Sequence, residues 1–164
     1  MSLVIDTSTL LLLAKASLLE QALDRFPVTL PEEVRIEALA KPSLPDAMLI
    51  ARLIKTGRLK PSPAIPPSET RAIAEDFNLG SGESAALAVA LKTGAIVGTD
   101  DGACIRAAKV LGVEFITALP VLIQLYREGE IDKNMADAKL ALLARFGRYS
   151  ESILADCRAK LRRR

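Results

Sequence analysis

The segment AIVGTDDGACIRAAKVLGVEFI, residues 95–116, restricts the fold more than any other part of the chain. An apolar run over 95–98 stops at Thr99-Asp100-Asp101. A helix-compatible stretch follows, and a second apolar run occupies 113–116. Two short apolar runs joined by one helix read as a βαβ unit, whose strands lie parallel with a right-handed crossover. Adjacent carboxylates just beyond a buried strand are electrostatically expensive, because like charges held close disfavour joint ionisation. A metal cation or a cationic side chain is the usual compensation.

The same pattern opens the chain. Leu3-Val4-Ile5 ends in Asp6-Thr7-Ser8-Thr9, with Ser8 or Thr9 placed to cap the following helix, and helical segments lead to the run Val28-Thr29-Leu30. Pro31 stands where a helix starts, since its missing donor is no loss there, and that helix runs to Ala40. Residues 45–56 form another helix closed by Gly57. Residues 58–67 hold four prolines, which predicts an extended connection with an edge strand over 58–60. A helix over 68–76 takes Ser68 as its cap. Gly80-Ser81-Gly82 opens a helix over 83–93 that is apolar on most faces and so packs against the sheet. Further helices span 119–128, 132–146 (capped by Asp132) and 150–161 (capped by Ser150). At 164 residues the chain is read as one α/β domain, with a core of residues 1–130 and a C-terminal helical extension of 131–164. Parallel sheets bind ligands beyond the carboxyl ends of their strands, which puts Asp6 and the Asp100-Asp101 pair on one edge.

Composition narrows the chemistry. There is no histidine, which removes imidazole bases, His-based triads and His-ligated zinc. Cys104 and Cys157 are too far apart in sequence for a metal-ligand motif and read as buried thiols. No apolar run is long enough to span a bilayer and no signal-peptide pattern opens the chain, so the expected location is cytoplasmic. Residues 145–164 carry seven basic and two acidic residues, a net +5 in a chain of net +2. A basic tail on a mildly acidic body fits either a polyanionic partner or a solvated helix end.

The acidic residues gather at four places: Asp6, Glu37 with Glu33 one turn earlier, Glu83, and the Asp100-Asp101 pair. Singly, each has an ordinary explanation as a cap, a helix-dipole partner or a solvated side chain; Asp101 also has an intramolecular partner within reach in Arg106. Jointly, carboxylates without histidine suit a hard cation, Mg²⁺ or Mn²⁺. Such a site activates water against a phosphodiester.

Asp6-Thr7-Ser8, the Pro31…Val34…Glu37 helix, Gly80-Ser81-Gly82-Glu83-Ser84, and Thr99-Asp100-Asp101 followed by Arg106 resemble the PIN-domain nucleases. The nearest likeness is to small prokaryotic PIN-like proteins related to VapC toxins of toxin–antitoxin systems. The resemblance covers residues 1–129. It implies a three-layer α/β/α fold with about five parallel strands, and a Mg²⁺- or Mn²⁺-dependent ribonuclease site. By position it implies Asp6, Glu37, Glu83 and Asp101 as catalytic acids. Metal ligands would come from Asp6, Glu83 and Asp101, with Asp100 beside them. Ser8 and Thr99 support, Glu33 rivals Glu37, and Arg106, Arg145 and Arg148 are placed to hold RNA phosphates. The partners implied are an RNA substrate, an antitoxin protein and a second copy of the chain in a homodimer, with no membrane. Residues 132–164 extend beyond the small toxin core and resemble the C-terminal extension of a PIN-like subgroup. A second reading stays open: a catalytically weak or inactive PIN-fold module that binds protein or RNA. There, the apolar stripe Ile153, Leu154, Cys157 and Leu161 either docks a partner or packs on its own core.

Overall fold

The computed structural model describes residues 2–163. Strands β1 (Leu3–Ile5), β2 (Val28–Leu30), β3 (Lys60–Pro61), β4 (Ile96–Gly98) and β5 (Phe115–Ile116) form one parallel sheet in the order β3-β2-β1-β4-β5. Leu3 pairs with Val28 on one side and with Ile96 on the other. Alternate residues of β1 serve opposite layers, as the two-residue strand period requires. Leu3 and Ile5 enter one apolar core, while Val4 joins Val97 in the other.

Helices α1 (Thr7–Lys15), α2 (Leu19–Arg25), α8 (Ala118–Arg127), α9 (Lys133–Phe146) and α10 (Glu151–Leu161) build the first core. Helices α3 (Glu32–Ala38) and α4 (Pro45–Lys55) close its margin through Val34, Ile50 and Leu53. Helices α5 (Pro67–Phe77), α6 (Ser81–Thr93) and α7 (Gly102–Leu111) cover the second face. The result is the expected three-layer α/β/α arrangement. The alanine-rich helix α6 is buried from Ser84 to Ala90, because small side chains let it approach the sheet closely.

Several element boundaries differ from those expected. The edge strand β3 is Lys60–Pro61 rather than 58–60. Helix α5 starts at Pro67, with Pro66 rather than Ser68 at its cap, because proline satisfies the first turn without a donor. Helix α6 starts two residues early, at Ser81, with Gly80 as cap. Helix α1 is capped by Asp6, whose carboxylate accepts from the Thr9 N–H, rather than by Ser8 or Thr9. Asp132 and Ser150 cap α9 and α10 as expected. Leu154, Cys157 and Leu161 of the apolar stripe pack into the first core, leaving Ile153 exposed. Among the described residues no helix is long and apolar enough to cross a membrane.

Candidate functional site

The strand order fixes where a site can form. From β1 the sheet grows through β2 and β3 in one direction, then resumes on the other side of β1 with β4 and β5. The β1/β4 boundary is therefore the topological switch point, where α/β sheets hold their ligands. Ile5 pairs with Gly98 there, so Asp6 and Thr99 emerge side by side, and the Asp6 N–H donates to the Gly98 carbonyl at 2.9 Å.

Asp6 is fully buried. Its Oδ1 accepts from the Ser8 hydroxyl at 2.7 Å and the Thr9 N–H at 3.0 Å; its Oδ2 accepts from the Thr99 hydroxyl at 2.5 Å. Ser8 and Thr99 thus orient the carboxylate. Burial nevertheless pushes the carboxyl up to about 6, with the nearby Asp100 charge adding to the rise against these three hydrogen bonds. Ser8 and Thr99 also bind the next strand end, accepting from the Asp100 and Asp101 N–H groups.

The aspartate pair divides into two roles. Asp101 caps α7, Oδ2 accepting from the Cys104 N–H at 2.8 Å. Asp100 turns into the protein. It accepts from the Thr9 hydroxyl at 2.5 Å, the Tyr149 hydroxyl at 2.6 Å and the Ala118 N–H at 3.1 Å. With both oxygens bound to internal donors, as those of Asp6 also are, Asp100 is a hub joining α1, α8 and the extension. Burial raises its carboxyl against those hydrogen bonds.

Glu37 crosses from α3 to the start of α6. Its Oε1 accepts from the Ser81 hydroxyl at 2.9 Å and the Gly82 N–H at 3.0 Å, and its Oε2 from the Thr7 hydroxyl at 2.6 Å. A Cβ on Gly82 would sit 2.6 Å from Glu37 Oε2, so only glycine admits this approach. Glu83 folds back as a capping-box residue, Oε2 accepting from the Gly80 N–H at 2.8 Å. Partial burial raises the Glu83 carboxyl, and the Asp101 and Glu37 charges add to the rise. Glu33, the rival to Glu37, instead lines a separate hollow with Pro31 and Pro61. Sequence spacing alone left the two open, because both lie on one helix face.

Among the described residues, Asp6, Glu37, Glu83, Asp100 and Asp101 form no ion pair with lysine or arginine. Arg106 folds over Gly102, whose added Cβ would lie 3.3 Å from its Nη1; it does not pair with Asp101 as the sequence allowed. Arg148 lines a cleft with Ser8, Asp100 and Asp101. Arg145 lies against the Phe146 ring, 5.3 Å from its centroid. Burial pushes the Cys104 thiol up to about 12, so it is an inert filler beneath Thr99. Beyond the hydroxyl run Thr7-Ser8-Thr9, the sequence gives no hint that the hydroxyls of Thr7, Thr9, Ser81 and Tyr149 bind the acidic side chains.

The donor set fits a hard divalent ion in its chemistry: oxygen ligands only, uncompensated negative charge, and one oxygen each on Asp101 and Glu83 outside the capping bonds. In the present conformation, no three acidic or cysteine side chains among the described residues stand close enough to hold an ion. Mg²⁺ binds through one or two carboxylates and several waters, so a closed protein cage is not required of it.

An acid-rimmed edge at the switch point of a five-stranded α/β/α sheet defines a PIN-like domain. The chain belongs to the PIN-domain family DUF3368, whose model matches residues 2–162 and so includes the C-terminal extension. It is also similar to the crystal structure of PAE2754 from Pyrobaculum aerophilum, at 21% identity and a TM-score of 0.57, covering 76% of this chain and 96% of that one. That likeness shows the fold. No curated protein matches significantly.

Proposed function

We propose that the chain is a Mg²⁺- or Mn²⁺-dependent endoribonuclease that hydrolyses RNA phosphodiester bonds at the β1/β4 edge. One observation carries the reading: a fully buried Asp6 joined through the Thr99 hydroxyl to the Asp101 strand end, at an edge that also holds Glu83 and Glu37, with no cationic side chain paired to any of these acids among the described residues. A bound ion supplies charge compensation, lowers the pKa of its water and stabilises developing charge on the phosphate. Asp6, Glu83 and Asp101 are the residues that would hold it. Ser8 and Thr99 hold the Asp6 carboxylate in one orientation. Glu37, clamped by Thr7, Ser81 and Gly82, fixes the α6 N-terminus that carries Glu83 and keeps a fourth carboxylate at the rim. Arg106 and Arg148 flank Asp101 and are the cations to hold neighbouring phosphates, which makes binding fall with salt.

Calorimetry with Mn²⁺ and RNA cleavage assays test this together. Intact protein should bind Mn²⁺ and leave 5′-phosphate and 3′-hydroxyl ends, and Asp6→Asn plus Asp101→Asn should remove both properties. Ends bearing 2′,3′-cyclic phosphate would reject attack by hydroxide. The resemblance to VapC-related proteins extends the reading to a cytoplasmic homodimeric toxin with an antitoxin protein partner. Growth arrest on induced expression, relieved by Asp101→Asn, tests that extension. A second reading, a PIN-fold module with a silent site, is favoured by the internal hydrogen bonds that occupy both oxygens of Asp6 and of Glu37. Absence of Mn²⁺ binding at millimolar concentration, with RNA still bound, would select it.

A further inference from the structure

We propose that the C-terminal extension completes a nucleotide subsite beside the acidic edge, seating one unstacked base and its phosphate of single-stranded RNA. The proposal rests on the ribonuclease reading. A cleft of about 380 Å³ runs between α1 and residues 146–148, within the size of sites that enclose a small ligand. Ser8, Asp100 and Asp101 line it, and so do Lys15, Phe146 and Arg148. Two of those three are cations, placed directly beside a carboxylate cluster that would repel a polyanion.

The aromatic member is unusual for this chain, in which only 4% of residues are aromatic. Phe146 is 43% exposed although it terminates a helix whose other apolar face is packed. Lys15 Nζ lies 5.9 Å from its centroid, and Lys15 reaches its carboxylate partner Asp46 only at 3.9 Å. Arg148 has no carboxylate partner among the described residues. A partly exposed ring with Lys15 and Arg145 (5.3 Å) against it and Arg148 in the same cleft matches the stacking platform and charged groove with which proteins hold single strands. A base stacks on the ring while Lys15 and Arg148 take the phosphates. The Tyr149–Asp100 hydrogen bond fixes the segment against β4, so the platform keeps a constant distance from Asp101.

The test uses the full chain, a single-stranded oligoribonucleotide, and the Asp101→Asn background in chelator so that nothing is cleaved. The chain contains no tryptophan, so Phe146→Trp adds one fluorophore at the platform. Its emission should be quenched on binding. Phe146→Ala should weaken binding roughly 5- to 100-fold, and Arg148→Ala should lower the salt slope by about 0.7. Arg71→Ala, on α5 of the opposite layer, should change neither. Three results would overturn the subsite: RNA bound without quenching, equal binding by Phe146→Ala, or equal response to duplex RNA. In each of those cases the metal-dependent cleavage of the unmodified chain still stands. If that chain neither binds nor cleaves RNA, the ribonuclease reading fails and the subsite falls with it.

Discussion

Replacing Asp6 by asparagine should separate the stability of this protein from its chemistry. The carboxyl is displaced from 3.8 to about 6 by burial. At about 1.4 kcal/mol per tenfold change in proton affinity, its ionised form lies about 3 kcal/mol higher in the folded protein than in the unfolded chain. The sign follows from proton linkage. The folded-state value is raised, so the stability associated with the neutral acid is fully present below pH 3.8. It is lost as pH rises through about 6, and absent at about pH 7.5. The asparagine variant has no such dependence at this position. Its amide oxygen can keep the Ser8 and Thr9 donors, but its amide nitrogen faces Thr99, whose hydroxyl must give up donating to it. That offset is about 1–3 kcal/mol and does not vary with pH. The decisive quantity is therefore the difference between the two unfolding free energies. At about pH 4 the unfolded acid is already partly ionised, which takes roughly 0.5 kcal/mol off the full effect. In chelator, by urea titration, Asp6→Asn should therefore gain about 2.5 kcal/mol on the unmodified chain between about pH 4 and pH 7.5, equivalent to about 5–10 °C in Tm at this size. Saturating Mn²⁺ at about 100 times Kd should restore about 2.7 kcal/mol to the unmodified chain alone. Parallel pH curves would refute the reasoning, because they would mean that the three hydrogen bonds fully compensate the buried charge.

Other perturbations report on the neighbouring contacts. Gly82→Ala drives a Cβ to 2.6 Å from Glu37 Oε2; it should cost about 1–3 kcal/mol and cut RNA cleavage, whereas normal stability would show that Glu37 moves freely. Tyr149→Phe removes one donor from Asp100 and should cost about 1.5–3 kcal/mol, with a matching fall in Tm; an unchanged Tm would remove Asp100 as the anchor of the extension. Cys104 and Cys157 are buried with thiols raised by that burial, so a thiol reagent at about pH 8 should label neither until urea unfolds the chain. Rapid labelling of Cys104 in native protein would mean that the layer beneath Thr99 opens.

The sheet was legible because its evidence is local. Each apolar run in 3–5, 28–30 and 96–98 stops at a polar or proline residue, and each is followed by a helix with a recognisable start. The switch-point geometry then follows from topology, which is why Asp6 and the aspartate pair could be placed on one edge from sequence. What resisted reading depends on contacts between distant segments. Glu33 and Glu37 occupy one face of α3, and only the docking of Gly82, 45 residues away, distinguishes them. Gly80-Ser81-Gly82 reads as a helix start, yet at Gly82 a side chain from another helix leaves no room for a Cβ. The extension reads as separable by length, but Tyr149 returns to Asp100 across 49 residues. No periodicity in the helices signals that return.

These long-range contacts explain why two adjacent aspartates persist at one strand end without a cation between them. Asp100 does not share the solvent-facing cleft with Asp101 on equal terms. It directs its charge to hydroxyl and backbone donors drawn from α1, α8 and the extension, which disperse that charge without neutralising it. The like-charge repulsion at this edge is then that of Asp100 on Asp6, and of Asp101 and Glu37 on Glu83. Among these, Asp6 and Glu37 are immobilised by several donors each, while Asp101 and Glu83 hold only one cap bond apiece. A site of this kind has two fixed acids and two acids that can re-aim at small cost. Metal capture, where it occurs, should therefore be most sensitive in affinity to Asp6, and most sensitive in geometry to Asp101 and Glu83.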